Sequence, residues 1–161
     1  MSTTHAYLSL GSNVEPERHL RAAILALRER FGDVRVSPVY RVPAVGFEGP
    51  DFLNAAARID SDLDPFALVQ WLQDLERDNG RIRGTVKFSD RTLDVDLVYF
   101  DDLVLDTPAL QLPRPELRHA FVLRPLADIA PEFVDPVRES TLAELWAAHP
   151  DHDAPLDTVA L

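Results

Sequence analysis

The sequence predicts an α+β fold, a ferredoxin-like βαββαβ sandwich whose antiparallel sheet carries its helices on one face, followed by a C-terminal extension. Three observations carry this reading. Four segments alternate or run apolar between turn residues, as strands do. Two segments repeat apolar residues at helical spacing. They follow one another as strand, helix, strand, strand, helix, strand.

Tyr7-Leu8-Ser9-Leu10 alternates and stops at Gly11-Ser12-Asn13, a strand running into a turn. Pro16 stands where a first helical turn begins; Leu20, Ile24, Leu25 and Leu27 continue the pattern to Phe31, and Gly32 ends it. Val34 to Tyr40 alternates as a second strand. Pro43, Gly46, Gly49 and Pro50 then punctuate a loop of about ten residues, long enough in a compact domain to mark a functional segment. Phe52 to Ile59 is the third strand. Asp64-Pro65 opens a second helix with Phe66, Leu68, Val69, Leu72 and Leu75 on its apolar face, ending near Gly80. A second long loop, Arg81 to Asp90, leads into a strand over Leu93 to Phe100. The proline-rich remainder holds short helices over Arg124 to Ile129 and Thr141 to His149, and Pro150 to Leu161 reads as a loose tail. No repeat or linker divides residues 1–161, so one domain is expected.

Composition limits the function. The chain has 161 residues, 46% hydrophobic and 27% charged, which suits a globular domain with a substantial core. Its apolar runs fall far short of the ~18 residues that span a bilayer, and the N-terminus shows no basic-then-apolar leader. The absence of cysteine excludes disulfides, thiolate metal sites and thiol nucleophiles, and fits a cytoplasmic protein. A formal net charge of −11 argues against nonspecific nucleic-acid binding and disfavours nonspecific self-association, though it excludes no dimer; a monomer is expected. Small-molecule substrates are therefore the expected partners.

Against that acidic background, Arg77, Arg81, Arg83, Lys87 and Arg91 place five of the 16 basic residues within one short stretch. Guanidinium forks suit bidentate phosphate recognition, although Arg77 can simply pair with Asp74. Immediately beyond lie Asp94 and Asp96, inside the apolar run Leu93-Asp94-Val95-Asp96-Leu97-Val98-Tyr99-Phe100. Strand alternation gives the two aspartates one face and Leu93, Val95, Leu97 and Tyr99 the other. Carboxylates so spaced hold one divalent ion together or bridge two, and Mg²⁺ combines such ligands with water and substrate phosphate oxygens. Arg81, Arg83 and Arg91 would neutralise an ATP tail, the main task in phosphoryl transfer. The other long loop is apolar: Pro43, Val45, Phe47 and Phe52, followed by Asn54, could hold a flat heterocycle, the amide offering donor and acceptor together. Gly11-Ser12-Asn13 is no Walker loop, and no serine sits in a nucleophile elbow. Trp71 and Trp146 read as core; His149 and His152 read as tail residues.

Ala6-Tyr7-Leu8-Ser9-Leu10-Gly11-Ser12-Asn13, Tyr40-Arg41-Val42-Pro43, Asp51-Phe52-Leu53-Asn54-Ala55-Ala56 and Arg91-Thr92-Leu93-Asp94-Val95-Asp96-Leu97 occur in that order. With Phe121-Val122-Leu123-Arg124-Pro125-Leu126 and Ile129-Ala130-Pro131-Glu132, they resemble the 6-hydroxymethyl-7,8-dihydropterin pyrophosphokinases of folate biosynthesis over about residues 6–136. The resemblance implies transfer of pyrophosphate from ATP to the pterin's hydroxymethyl oxygen, with release of AMP. It implies that Asp94 and Asp96 hold two Mg²⁺ ions and that Arg83 and Arg91 assist the transfer. Gln73, Glu76, Arg81, Arg83, Phe88 and Arg91 would line the nucleotide. Phe52, Asn54 and Phe121 would hold the pterin, together with backbone from Val42 through Pro43 to Val45.

The chain departs from the family pattern at Phe88, Ser89 and Asp90, and at Arg114, which stands where the family has a nucleotide-contacting histidine. It is also about one residue short between Arg114 and Ala120, so the family's arginine there falls on Arg118 or His119. These departures motivate the alternatives: a non-catalytic pterin or nucleotide binding module, or a phosphotransferase for a different alcohol.

Overall fold

The computed structural model describes residues 3–44, 48–80 and 92–161. Its elements are β1 (Thr4–Ser12), α1 (Pro16–Phe31), β2 (Val34–Val36), β3 (Val39–Val42), β4 (Phe52–Ser61), α2 (Pro65–Asp78), β5 (Asp94–Phe100), β6 (Leu105–Asp106), β7 (Gln111–Leu112), a 3-10 turn (Pro115–Arg118), α3 (Ala120–Ile129), α4 (Leu142–Ala147) and β8 (Asp157–Val159). The main sheet runs β5-β1-β4-β3-β8, with β2 also on β4, and every pairing is antiparallel. β6 and β7 form a small separate hairpin.

Local chemistry explains the helix limits. Both α1 and α2 begin with proline, whose missing N–H costs nothing in a first turn. The Asp64 carboxylate accepts the Ala67 N–H at 2.9 Å and caps α2. Gly32, at φ 84°, ends α1 by returning its N–H to the Arg28 carbonyl. In α4, Thr141 and Glu144 exchange side-chain to backbone hydrogen bonds as a capping box.

Strand alternation divides the core. Ala6, Leu8 and Leu10 of β1, with Leu53, Ala55, Ala57 and Ile59 of β4, pack under Leu20, Ala23 and Leu27 of α1 and Leu68, Leu72 and Leu75 of α2. The opposite face buries Tyr7, Ala56, Val98 and Tyr99 against Val122, Leu123, Leu126 and Ile129 of α3 and Leu142 of α4. The sheet therefore carries helices on both faces: α1 and α2 lie where expected, and the C-terminal extension covers the second face. Trp71 and Trp146 pack half-buried on the two clusters.

Three expectations are corrected. The strand over Val34 to Tyr40 is two strands, because Ser37-Pro38 interrupts it: proline brings no N–H to a ladder, and Ser37 Oγ takes the Ala56 N–H instead at 2.8 Å. Tyr99 does not share a face with Val95 and Leu97. The register against β1 shifts between Tyr7, opposite Tyr99, and Leu8, opposite Leu97, so Val98 and Tyr99 both turn to the second face. The tail is not loose throughout: Asp157, Thr158 and Val159 pair with Arg41, Tyr40 and Val39, satisfying the outer edge of β3. Among the described residues, no helix is long and apolar enough to cross a membrane.

Candidate active site

The second sheet face is apolar at one end and polar at the other. Ala56 and Val98 belong to the core cluster beneath α3, whereas Asn54 and Asp96, two residues further along β4 and β5, do not. At that polar end Gly11 of β1 pairs with Asn54 on one side and Asp94 on the other. A Cβ on Gly11 would stand 2.8 Å from Asn54 Nδ2, closer than side-chain carbons approach, so glycine is what lets the amide lie against β1. Asn54 is buried and directs Nδ2 toward the Leu10 carbonyl at 3.5 Å.

Asp94 and Asp96 alternate with Val95 and Leu97, which point into the core beneath α1 and α2. Glu76, in the last turn of α2, is only 2% exposed. Its Oε2 accepts the Val95 N–H at 2.9 Å, so the peptide between the aspartates fixes its carboxylate. Glu76, Asp94 and Asp96 each offer a carboxylate oxygen, and these oxygens lie within 4.8 Å of one another. An all-oxygen donor set of this kind fits a hard divalent ion such as Mg²⁺. Arg114 Nη2 lies 3.7 Å from Asp96 Oδ1, while its Nε lies 3.2 Å from Glu116 Oε2. Its backbone N–H donates to Val98 O at 3.2 Å, anchoring the residue beside β5.

Across β4, Phe52 and Asn54 project to one face and pair with Val42 and Tyr40 of β3. The Tyr40 hydroxyl donates to the Asp128 carboxylate, and the Arg124 guanidinium lies 5.6 Å from the ring centre. Burial first, then Asp128, pushes the Tyr40 phenol up to about 12. Asn13 Nδ2 donates to the Pro50 carbonyl at 3.2 Å, tying the turn after β1 to the approach to Phe52. Phe121 lies in the first turn of α3, and its ring lies against that of His119. Val42, His119 and Phe121 line a cavity of about 310 Å³ with His149, Ala154 and Leu156.

The structure thus gathers Asp94, Asp96, Glu76 and Arg114, and sets Phe52 and Asn54 on the same sheet face. Gln73 is half-buried one turn before Glu76, and Pro43 is exposed beyond β3. Val45, Arg81, Arg83, Phe88 and Arg91 lie outside the described residues, as do Phe47, Lys87, Ser89 and Asp90. Glu76 joins the carboxylate cluster, a place that neither strand alternation nor resemblance gave it. A signal was present: Glu76 follows Leu72 by four residues, so an acid occupies a core position of an apolar helix stripe. Arg77 pairs with Asp74 as its spacing allowed. His149 is no idle tail residue, since its Nε2 reaches the Arg118 carbonyl at 2.7 Å.

Residues 7–131 match the model of the 7,8-dihydro-6-hydroxymethylpterin-pyrophosphokinase family. A 2-amino-4-hydroxy-6-hydroxymethyldihydropteridine pyrophosphokinase from Pseudomonas aeruginosa is 40% identical over 150 residues, covering 89% of this chain and 91% of that protein. The enzyme of the same name from Bacillus subtilis is 36% identical over 144 residues, covering 86% and 84%. A crystallised HPPK-DHPS in complex with substrates shares the fold, with a TM-score of 0.70 at 13% identity over 92% of this chain. This chain spans 43% of the length of that larger one.

Proposed function

From a chain that belongs to the 7,8-dihydro-6-hydroxymethylpterin-pyrophosphokinase family, we propose a catalytic centre at the Glu76, Asp94 and Asp96 carboxylates. The protein is an ATP-dependent pyrophosphokinase of folate biosynthesis, acting on small-molecule substrates and using ATP and Mg²⁺. The observation that carries the proposed centre is the convergence of three carboxylate oxygens within 4.8 Å beside a surface able to take a flat ring. We read the fold as ferredoxin-like with an added edge strand, residues 1–161 as one domain, and the protein as a cytoplasmic monomer.

In the proposed reaction the hydroxymethyl oxygen attacks the β-phosphorus of ATP in line. The new O–P bond forms as the bond from the β-phosphorus to the bridging oxygen of the α-phosphate breaks. AMP leaves with that electron pair, and the hydroxyl proton passes to solvent. Two Mg²⁺ ions held by Asp94 and Asp96, with Glu76 beside them, would draw charge from the phosphate oxygens and raise the acidity of the hydroxyl. Phe52 and Phe121 supply apolar faces for the pterin, and Asn54 offers its amide to the ring edge. Val42, Pro43 and Val45 supply backbone partners. Gln73 and Arg81 line the nucleotide, with Phe88 beside it, while Arg83 and Arg91 stabilise the developing charge. Arg114 is anchored next to Asp96, and the same position orients a cation toward the phosphates.

The test is AMP release from ATP by the purified protein, with and without 6-hydroxymethyl-7,8-dihydropterin and Mg²⁺. AMP formed only when all components are present is the expected result. Saturable pterin binding without AMP would support the binding-module alternative instead.

A further inference from the structure

We infer that His119 is a positioning residue that sets the plane of the Phe121 ring, and that His149 of the C-terminal segment holds it in place. The inference rests on the reading of Phe121 as a wall of the pterin site.

The two rings are stacked, with centroids 4.9 Å apart and planes 9° from parallel. Phe121 is half-buried, at the first turn of α3, so core packing touches only part of it. His119 is fixed from its backbone: its carbonyl accepts the Val122 and Leu123 N–H groups at 3.1 and 3.0 Å. The preceding peptide is fixed from the far end of the chain. Asp151 donates its N–H to His149 Nδ1 at 3.0 Å, so Nδ1 accepts and Nε2 carries the proton. That Nε2–H donates to the Arg118 carbonyl at 2.7 Å. Trp146, from α4, stacks on the His149 ring at 5.4 Å and sets its direction.

Burial first, then the Arg118 charge, lowers the His119 imidazole, with His149 acting the same way and Glu116 opposing. A neutral ring stacks on Phe121 without acting as a second cation. Arg118, the other residue of the shortened stretch, is exposed and carries a permanent charge. The path from Trp146 through His149 and His119 to Phe121 makes the C-terminal segment part of the substrate site.

The experiment compares kcat and both KM values for wild type, His119→Ala, His119→Phe, His149→Ala and Phe121→Ala. Loss of one aromatic stack predicts a rise of about three- to ten-fold in pterin KM for His119→Ala, with ATP KM unchanged. His119→Phe, which keeps a flat ring, should restore pterin KM, and His149→Ala should raise it in the same direction. A raised pterin KM for Phe121→Ala with an unchanged one for His119→Ala overturns the inference but leaves the pterin-site reading standing. A rise in ATP KM alone for His119→Ala overturns it too, because it makes residue 119 a nucleotide contact. An unchanged pterin KM for Phe121→Ala removes the pterin-site reading, and the inference with it.

Discussion

Glu76 Oε2 accepts the Val95 backbone N–H at 2.9 Å, and Val95 is the residue between Asp94 and Asp96. One hydrogen bond therefore joins the end of α2 to the strand that presents both aspartates. It holds a buried carboxylate in register with two others. The same contact separates two roles of Glu76, as hydrogen-bond acceptor and as charge.

Those roles come apart by substitution. Glu76→Gln keeps an oxygen for the Val95 N–H, so thermal unfolding should stay near wild type while the Mg²⁺ requirement for AMP release rises. Glu76→Ala leaves a buried N–H unpaired and should cost about 1–3 kcal/mol, lowering the melting temperature by about 2–10 °C. Calorimetry with a Mg²⁺ titration of activity measures both. Equal melting losses in the two variants would contradict the hydrogen-bond role.

Gly11→Ala places a methyl group 2.8 Å from Asn54 Nδ2. The Asn54 side chain must move, because the backbone on both sides is held in the β1–β4 ladder. The expected outcome is a destabilisation of about 1–3 kcal/mol, with pterin KM raised more than ATP KM. Urea unfolding and steady-state kinetics check the two parts. A variant with unchanged pterin KM would show that Asn54 does not need its place against β1.

Asp135 is fully buried and binds the Tyr99 hydroxyl at 2.5 Å, Arg138 Nη1 at 3.0 Å and the Val137 and Arg138 N–H groups. Burial alone would raise its carboxyl. The Tyr99 hydrogen bond, the backbone donors and the Arg138 charge outweigh that and hold it below the usual carboxylate range. A carboxyl lowered by folding stabilises the protein above its unfolded value, about 3.9, and that contribution fades as pH falls through the lower folded value. The stability gap between wild type and Asp135→Asn should be constant from pH 7 to about 5 and narrow below about 4. Urea unfolding across that range measures it, and a gap that widens on acidification would contradict the assignment.

Much of this arrangement is legible in the sequence because it is local. The i, i+2 spacing of Asp94 and Asp96 fixes a shared face in any strand, and Asp64-Pro65 announces a capped helix. What is not legible depends on pairing between distant segments. The register shift opposite Tyr7 and Leu8 sends Tyr99 to the second face, and nothing within Leu93 to Phe100 encodes it. Asp157 to Val159 becomes a strand only because β3 offers an open edge. The helix legible over Arg124 to Ile129 is only the later part of α3, which starts at Ala120, and its place opposite α1 and α2 follows from Tyr7, Ala56 and Val98 needing cover. Glu76 reaches the aspartates through tertiary packing, although an acid within a leucine stripe hinted at it.

The most direct test of the proposed centre is the rate of Mg²⁺-dependent AMP release by Asp94→Ala and Asp96→Ala, each shown to be folded by circular dichroism and thermal melting. Both side chains are partly exposed, so the fold should survive. If these carboxylates hold the cation as proposed, the rate should fall by at least about a hundred-fold in each variant, because charge stabilisation at the phosphates is lost. A folded variant that releases AMP at close to the wild-type rate would contradict the account.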